Sequence, residues 1–261
     1  MGPHAPGERH AEEIQRAQYD KIGSVYEAHY SDKWSLRYRE RFMEGPAVAG
    51  LDLRGKKLLD GMCGNGPTAQ FMQRLGADVT GVDISAEVLD QFRRRLPDAT
   101  AVQASMASTG LPSGSFDIVV VTGGLHHVQP HVNEVVGEIC RILKPGGYFC
   151  FVEPHAHSLP DLARRIWYRI DRTYFETNEA AIDLDAMMRS NETRFEFVST
   201  QYRGNIGYLL VLNTMVFRIP VRWKPIYSAA LIWLEAVIER AQGRRLSCFV
   251  VAQWRKRSQP A

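Results

Sequence analysis

The chain has 261 residues, of which 45% are hydrophobic and 23% are charged, as is typical of a folded globular protein. Its formal net charge of +3 is too small to indicate nucleic-acid binding. The charge is uneven, because residues 201–261 carry +8 and the first 200 residues carry −5. A basic C-terminal quarter favours a solvated basic face, with an anionic substrate or an acidic membrane surface as alternatives.

The cysteines and the N-terminal residues indicate the cellular compartment of the protein. None of the four cysteines has the spacing of a metal or redox motif, so we predict buried free thiols and no metal site. The N-terminal residues are polar and lack the apolar core of a signal peptide. The longest apolar runs, 206–217 and 226–234, are shorter than the roughly 20 residues that a membrane span requires. These features predict a cytoplasmic protein.

The first part of the chain predicts helices. Apolar residues recur at intervals of three to four between residues 11 and 43. We therefore predict an N-terminal helical cap over residues 1–45, followed by a core over residues 46–261. Residues 45–55 are predicted to be a connection.

Strands and helices then alternate. Strands are predicted at 56–60, 78–84, 100–105, 115–124 and 148–154, and helices at 67–75, 86–96 and 131–143. Ser85 is a predicted N-cap and Gly76 a predicted C-cap. The fourth strand is continuously apolar, as in a parallel sheet that is covered on both faces. This order predicts an α/β fold with a doubly wound, mostly parallel sheet.

The regular alternation ends after Pro154. Helices are predicted at 158–172 and 178–190, and further strands at 194–204 and 244–256. The sheet would then have seven strands, with helical lid insertions at about 155–193 and 205–243. We expect the second insertion, which is rich in aromatic residues, to form core and to wall an apolar acceptor pocket. Contact with a membrane surface and a dimer interface are the alternatives, so the chain is expected to be a monomer or a homodimer.

Chemically useful residues cluster where the predicted strands end. In an open parallel sheet, ligands bind outside the carboxyl ends of the strands. Strand 1 ends in Asp60 and a glycine loop, and strand 2 ends in Asp83, whose carboxylate can accept both hydroxyls of a ribose. The other strand-end candidates are Ser105, Met106, Thr122, His126, His127, Glu153, His155 and His157.

The spacing within the loop separates two classes of nucleotide. The glycines at 61, 64 and 66 follow a G-x-x-G-x-G pattern, whereas a pyrophosphate site is expected to show G-x-G-x-x-G. Asp60, directly before the loop, would suit a ligand ammonium and would repel a pyrophosphate. The loop therefore favours an adenosylmethionine over a dinucleotide.

Four motifs together resemble one family. The stretches LLDGMCGNGP, VTGVDIS, SFDIVVVTGGLHHV and RILKPGGYF are similar to those of class I, Rossmann-like methyltransferases that use S-adenosylmethionine to methylate small molecules. The resemblance implies a site for the methionine moiety at Gly61, Gly64 and Thr122, with Asp60 orienting the loop. Gly66 is also a predicted cofactor-binding residue. The resemblance also implies ribose binding by Asp83 and adenine contacts from Ile84, Ser105 and Met106.

Two residues depart from the family pattern. Met62 stands where the family has a glycine, and Ser105 stands where it usually has an aspartate. If Gly61 provides the close approach, Met62 should pack under the loop. If Met62 instead points into the pocket, cofactor binding should weaken.

The resemblance implies methyl transfer by in-line displacement to a small, partly hydrophobic acceptor at O, N or C. His126 and His127 are the candidate bases, because histidine titrates near neutral pH. A nicotinamide-dependent oxidoreductase and a non-catalytic, cofactor-binding regulatory protein are the alternative functions. The candidate substrate contacts are Tyr19, Tyr26, His155 and His157.

Overall fold

The computed structural model describes residues 29–170 and 180–258. Its strands are β1 (Lys57–Gly61), β2 (Asp78–Asp83), β3 (Thr100–Gln103), β4 (Phe116–Thr122), β5 (Leu143–Pro154), β6 (Phe195–Arg203) and β7 (Phe249–Lys256). Its helices are α1 (Lys33–Arg39), α2 (Gly45–Ala47), α3 (Pro67–Arg74), α4 (Ala86–Arg95), α5 (Val132–Ile142), α6 (Leu159–Ile170), α7 (Leu184–Asn191) and α8 (Lys224–Ile238). Two π-helical turns (Glu40–Glu44 and Tyr208–Leu212) and three 3₁₀ turns (Leu125–His127, Val221–Trp223 and Arg244–Leu246) complete the elements.

The seven strands form one sheet in the order β3-β2-β1-β4-β5-β7-β6. The pairs among β1 to β5 are parallel, and β7 runs antiparallel between β5 and β6. The predicted seven-stranded, mostly parallel and doubly wound sheet is therefore confirmed. The strand order reverses between β1 and β4, which is where such sheets bind ligands.

The sheet separates two hydrophobic clusters. Leu58 belongs to one cluster and its neighbour Leu59 to the other, because successive side chains of a strand point to opposite faces. Ile118 and Val119 on β4 divide in the same way, which explains the continuously apolar sequence of that strand. The predicted apolar stripe of α5 is fully buried against the second cluster.

The boundaries of several elements differ from prediction. The last strand begins at Phe249 rather than at residue 244, because residues 244–246 form a 3₁₀ turn. The helix predicted at 178–190 begins only at Leu184, since the preceding Ile182 bridges to His155 and Asp183 caps the helix. Residues 45–47 within the predicted connection are helical, and β5 begins at Leu143, five residues earlier than predicted.

The prediction that all four cysteines are buried has a mixed outcome. Cys63, Cys150 and Cys248 are buried free thiols, whereas Cys140 is only half-buried. In the described ranges, no helix has both the length and the hydropathy needed to cross a bilayer, and no cluster of potential metal ligands occurs there. The division between a cap and a core at residue 45 stays a prediction, since residues 1–28 lie outside the described ranges.

Candidate active site

A pocket opens at the carboxyl ends of β1, β2, β3 and β4, beside the point where the strand order reverses. The loop after each of these strands contributes to its wall, and α4 supplies one side. The lining includes Arg39, Met62, Cys63, Gly64, Asn65, Thr68, Asp83, Ile84, Ser85, Val88, Gln91, Ser105, Met106, Thr122, Gly123, Gly124 and His127.

Asp83 lines this pocket and anchors the glycine loop. One carboxylate oxygen accepts a hydrogen bond from the Gly64 amide at 3.0 Å, and the other accepts one from the Ser85 amide at 3.0 Å. Burial raises the pKa of the Asp83 carboxyl, whereas these amides lower it. Each carboxylate oxygen can accept more than one hydrogen bond, so both remain able to receive a ligand hydroxyl.

The three glycines of the loop have different roles. Gly64 lines the pocket, has a φ of +54° and would place a Cβ in open space. Gly61 and Gly66 are absent from the lining. A Cβ on Gly66 would lie 2.8 Å from the Phe92 ring, and one on Gly61 would lie 3.0 Å from the Met106 side chain. Gly64 therefore offers close approach to a ligand, whereas the other two glycines allow close packing.

Asp60 lies near the end of β1, directly before the glycine loop. Its side chain is buried, it is absent from the pocket lining, and one carboxylate oxygen has no hydrogen-bond partner among the described residues. Burial raises the pKa of Asp60 to about 8. The carboxyl accepts a hydrogen bond from the Ala69 amide at the start of α3, and the predicted role of Asp60 towards the loop and the ligand ammonium stays a prediction.

Met62 both lines the pocket and packs against the end of β4. Its φ is +56°, in the left-handed region that disfavours residues with a side chain. A Cβ on Gly124 would lie 2.4 Å from the Met62 sulfur and 2.9 Å from the Met62 Cβ. Because residue 124 is a glycine, the Met62 side chain can occupy the space where a Cβ would otherwise lie. The Met62 side chain forms part of the pocket wall, which is the second of the two predicted cases, and its effect on cofactor binding stays a prediction.

The residues predicted near an adenine and a methionine come together in the same pocket. Ile84, Ser105, Met106 and Thr122 all contribute to its lining. The Ser105 hydroxyl accepts a hydrogen bond from the Ala107 amide at 3.2 Å. The Thr122 hydroxyl is buried and has no hydrogen-bond partner among the described residues. It is therefore a polar group available to a ligand in this pocket.

The two candidate bases occupy different positions. His127 lines the pocket, whereas His126 is absent from the lining and lies 2.7 Å through Nδ1 from Glu153 Oε2. The two rings contact each other with centroids 4.0 Å apart. Burial lowers the pKa of His126 to about 3 and that of His127 well below its ordinary value. Both imidazoles are therefore neutral at neutral pH.

Glu153 holds the loop that carries these histidines. It is buried at the end of β5, and its Oε1 accepts hydrogen bonds from the amides of Gly124 at 2.7 Å and Leu125 at 2.8 Å. Its Oε2 receives the His126 amide at 3.4 Å. Burial raises the pKa of Glu153 to about 7, which allows one proton to lie between this carboxyl and His126 Nδ1.

His155 and His157, two of the predicted substrate residues, are absent from the lining of this pocket. The ring nitrogens of His155, a buried residue, lie 2.6 Å from the Ser247 hydroxyl and 2.9 Å from the Ala156 carbonyl. His157 is exposed and lies 3.5 Å from Asp183. Tyr19 and Tyr26 lie outside the described residues. The second insertion does not contribute to the pocket lining, so the structure does not show it as a pocket wall.

Comparison with known proteins identifies the domain to which the pocket belongs. The family model described as "Methyltransferase domain" matches residues 59–151, which span β1 to β5. The chain contains a methyltransferase domain. The predicted family resemblance is therefore confirmed.

The relatives of this methyltransferase domain differ in how much of the chain they match. An uncharacterised methyltransferase from Synechocystis is 33% identical over 120 residues, which are 46% of this chain and 57% of that protein. A fatty-acid O-methyltransferase from Mycolicibacterium smegmatis is 27% identical over 213 residues, 78% of this chain and 70% of that protein. The chain spans about half the length of several curated relatives that it matches.

A solved structure shares the fold over most of the chain. The structure of a putative sarcosine dimethylglycine methyltransferase from Galdieria sulphuraria has a TM-score of 0.61 and 18% identity. The match covers 86% of this chain and 87% of that chain. A methyltransferase domain with this fold implies S-adenosylmethionine as the cofactor.

The residues of the pocket fit this cofactor. Asp83 offers carboxylate oxygens for a ribose, Gly64 leaves open space beside the loop, and Thr122 has a buried hydroxyl without a partner among the described residues. Among the described residues, no cationic side chain other than Arg39 is part of the lining. Arg39 is itself paired with Glu44, its NH2 lying 2.6 Å from Oε1, so the wall suits a cationic sulfonium better than a pyrophosphate.

Sequence reasoning missed the contribution of α1 to the pocket. Arg39 and Thr68 both line the wall and are joined by a hydrogen bond of 2.8 Å from the guanidinium to the Thr68 hydroxyl. Glu44 binds both residues from below. Nothing in the helical pattern of residues 33–47 singles out Arg39, but Thr68 follows the glycine loop at the start of α3 and could have been inferred from that position.

Replacing Gly124 with alanine should destabilise the protein through its contact with Met62. The added Cβ has no space beside the Met62 sulfur and Cβ, and we expect a loss of about 1–3 kcal/mol in the free energy of unfolding. The same substitution should cost less in the Met62→Gly background, because the space is then empty. Urea unfolding of the two single variants and the double variant measures this coupling, and additive effects would show that the contact does not matter.

Replacing Asp60 with asparagine should reduce the dependence of stability on pH. The pKa of Asp60 is about 8 in the folded protein, above its ordinary value, so its contribution to stability is present at low pH and is lost as the pH rises towards 8. The difference in unfolding free energy between wild type and Asp60→Asn should fall by about 1.4 kcal/mol per pH unit in this window. Urea unfolding between about pH 5 and pH 7 measures the slope.

Asp52→Asn provides the matched control for this slope. Asp52 is exposed, and the hydrogen bond from Arg54 lowers its pKa, so it stays ionised throughout the same window. We expect this variant and the wild type to show parallel pH profiles. Equal slopes for Asp60→Asn and wild type would contradict the raised pKa of Asp60.

Proposed function

We propose that the protein transfers a methyl group from S-adenosylmethionine to a small, partly hydrophobic acceptor. The observation that carries this proposal is the convergence of Asp83, Gly64 and Thr122 on one pocket at the switch point of the sheet. The pocket also contains Ile84 and Met106, which can flank an adenine ring. His127 completes the lining beyond Gly124, at the end of the pocket formed by the loop after β4.

Methyl transfer from a sulfonium is an in-line displacement in which the protein supplies alignment and excludes water. Positioning alone contributes roughly 7–11 kcal/mol to such a reaction. Asp83 would hold the ribose and thereby orient the donor along the pocket. The neutral state of His127 avoids repulsion with a sulfonium and leaves a ring nitrogen able to accept a hydrogen bond from the acceptor.

One relative and one feature of the pocket indicate the class of acceptor. The relative from Mycolicibacterium smegmatis is a fatty-acid O-methyltransferase, and its match extends over 78% of this chain. The loop after β4 places His127 in the pocket lining, and burial keeps this imidazole neutral. Both observations favour a small apolar molecule that carries a hydroxyl, an acid or an amine.

Binding and turnover test the proposal separately. Calorimetry should show binding of S-adenosylmethionine and of S-adenosylhomocysteine, and mass spectrometry of cell extract treated with enzyme and isotopically labelled cofactor should reveal the methylated acceptor. Binding of NADH with no binding of either adenosyl compound would favour the oxidoreductase alternative. Cofactor binding without any labelled product would favour the non-catalytic alternative.

A further inference from the structure

Helix α8 departs from the usual amphipathic pattern, because polar residues are buried on its inward face and large apolar residues are exposed on its outward face. Its inward face buries Lys224, Ser228, Ile232 and Glu235. Its outward face is apolar, and with the preceding turn it consists of Trp223, Ile226, Trp233 and Val237, which are 51%, 81%, 66% and 41% exposed. We call these four residues the outward face of α8. The inward side also carries apolar residues, since Ile232 belongs to the hydrophobic core and Leu231 packs against it, so the helix is apolar on both sides.

Buried polar contacts fix the orientation of this helix. The Lys224 ammonium donates to the His29 carbonyl at 2.6 Å and to the Ser35 hydroxyl at 2.7 Å, and it is paired with Asp32. Lys224 and Asp32 therefore bind the start of α8 to the start of α1. Rotating α8 to bury its apolar residues would remove an ammonium from these partners, which is strongly unfavourable for a buried charge.

The other end of the inward face is held in the same way. Glu235 accepts hydrogen bonds from the Tyr38 hydroxyl, from the Asn205 amide at 2.9 Å and from the Gly207 amide at 2.7 Å. With partners at both Lys224 and Glu235, the helix is fixed along its length. The exposure of two tryptophans and an isoleucine is thus a constrained feature of the fold.

Among the described residues, the exposed charged side chains in the chain segments directly before and after α8 are arginines. Arg218, Arg222, Arg240 and Arg245 are exposed in the segments that flank α8. The acidic residues of the segment 201–258 are Glu235 and Glu239, and both are turned inward, with Glu239 paired to Arg203 at 2.6 Å. The surface therefore combines exposed aliphatic and indole side chains with positive charge.

A second apolar surface lies near the start of α8. Trp167 on α6 contacts Phe217 with ring centroids 6.3 Å apart, and both side chains are about 40% exposed. Leu162 and Ile166 on the same helix are also exposed. The apolar surface thus includes α6 and the segment leading to α8.

We propose that the outward face of α8 binds the surface of an anionic lipid bilayer. Tryptophan and aliphatic side chains enter the boundary between headgroups and acyl chains, while arginines bind anionic headgroups. A second copy of the chain fits the surface less well, because a two-fold interface would bring like arginine charges together. Binding is peripheral, since α8 has 15 residues and one face of it is occupied by the domain.

Vesicle sedimentation tests this proposal without any use of methyl transfer. The full-length protein should sediment with vesicles of phosphatidylcholine and phosphatidylglycerol and remain in solution with phosphatidylcholine alone. The double variant Ile226→Gln with Trp233→Gln should bind at least about tenfold more weakly, because both apolar side chains are lost from the boundary region. Both residues are largely exposed, so the variant should keep the unfolding midpoint of the wild type.

Two further variants separate the apolar and the electrostatic contributions. Arg222→Ala with Arg240→Ala should weaken binding to the anionic vesicles by about 30-fold, from about 1 kcal/mol for each arginine near the surface. Leu75→Gln with Val198→Gln removes two exposed apolar side chains elsewhere, 41% and 47% exposed, and should bind as the wild type does.

Three outcomes would overturn the proposal. In the first, the wild type fails to sediment with anionic vesicles. In the second, the Ile226→Gln/Trp233→Gln variant binds these vesicles as tightly as the wild type does. In the third outcome, analytical ultracentrifugation would show a dimer that this variant dissociates, with no vesicle binding, and the surface would then belong to a second copy.

Discussion

Replacing Asp83 with alanine should lower the affinity for S-adenosylmethionine by about 100-fold. A hydrogen bond to a charged group contributes about 1.5–3 kcal/mol, and the loss of two such bonds to ribose hydroxyls amounts to about 3 kcal/mol or more. The side chain also anchors the Gly64 and Ser85 amides, so the loop would lose its support at the same time. Isothermal titration calorimetry with S-adenosylmethionine measures the change directly.

Two control variants separate ribose binding from loop support. Asp83→Asn keeps one acceptor oxygen and the shape of the side chain, so its loss of affinity should be smaller. Asp90→Ala removes a carboxylate that is paired with Arg93 on the exposed side of α4, and it should leave affinity unchanged. If Asp83→Ala bound the cofactor as tightly as the wild type, the proposed ribose site would be wrong.

The sheet and the pocket could be predicted because their signals are local. The continuously apolar β4, the stripe of α5 and the capping serine of α4 each follow from patterns within a dozen residues. The position of Asp83 follows from the end of β2, and this is enough to place it at the switch point. A residue at the end of a parallel strand lies at the carboxyl edge of the sheet, so its position follows from the local sequence.

The features that escaped prediction depend on contacts between distant residues. Met62 adopts its left-handed conformation beside Gly124, and neither residue alone indicates that pairing. The orientation of α8 depends on the buried contacts of Lys224 with Asp32 and of Glu235 with Tyr38, which lie close to 200 positions earlier in the chain. The apolar run 226–234 on its own predicts a buried helix. In the structure, the buried contacts of Lys224 and Glu235 determine which side of the helix faces the core, and part of the apolar run stays exposed.

Replacing Glu153 with alanine should lower the free energy of unfolding by about 3–5 kcal/mol and weaken the binding of S-adenosylmethionine. The carboxyl binds the amides of Gly124, Leu125 and His126 and the imidazole of His126, all in a buried position. Each unsatisfied buried group costs about 1–3 kcal/mol, and relaxation of the loop would recover part of the total. The same loop positions Thr122 and His127, so its collapse should remove both from the pocket. Urea unfolding and cofactor calorimetry measure the two effects.

The variants Glu153→Gln and Glu134→Ala make this prediction specific. Glutamine keeps one oxygen for the Gly124 and Leu125 amides but places an amide group next to the His126 amide, so we expect an intermediate loss of stability. Glu134 is exposed on α5, and its removal should change the free energy of unfolding by less than about 0.5 kcal/mol. If Glu153→Ala were as stable as Glu134→Ala, the loop would not depend on the buried carboxyl. If it lost stability and still bound cofactor normally, the carboxyl would stabilise the fold without positioning the pocket.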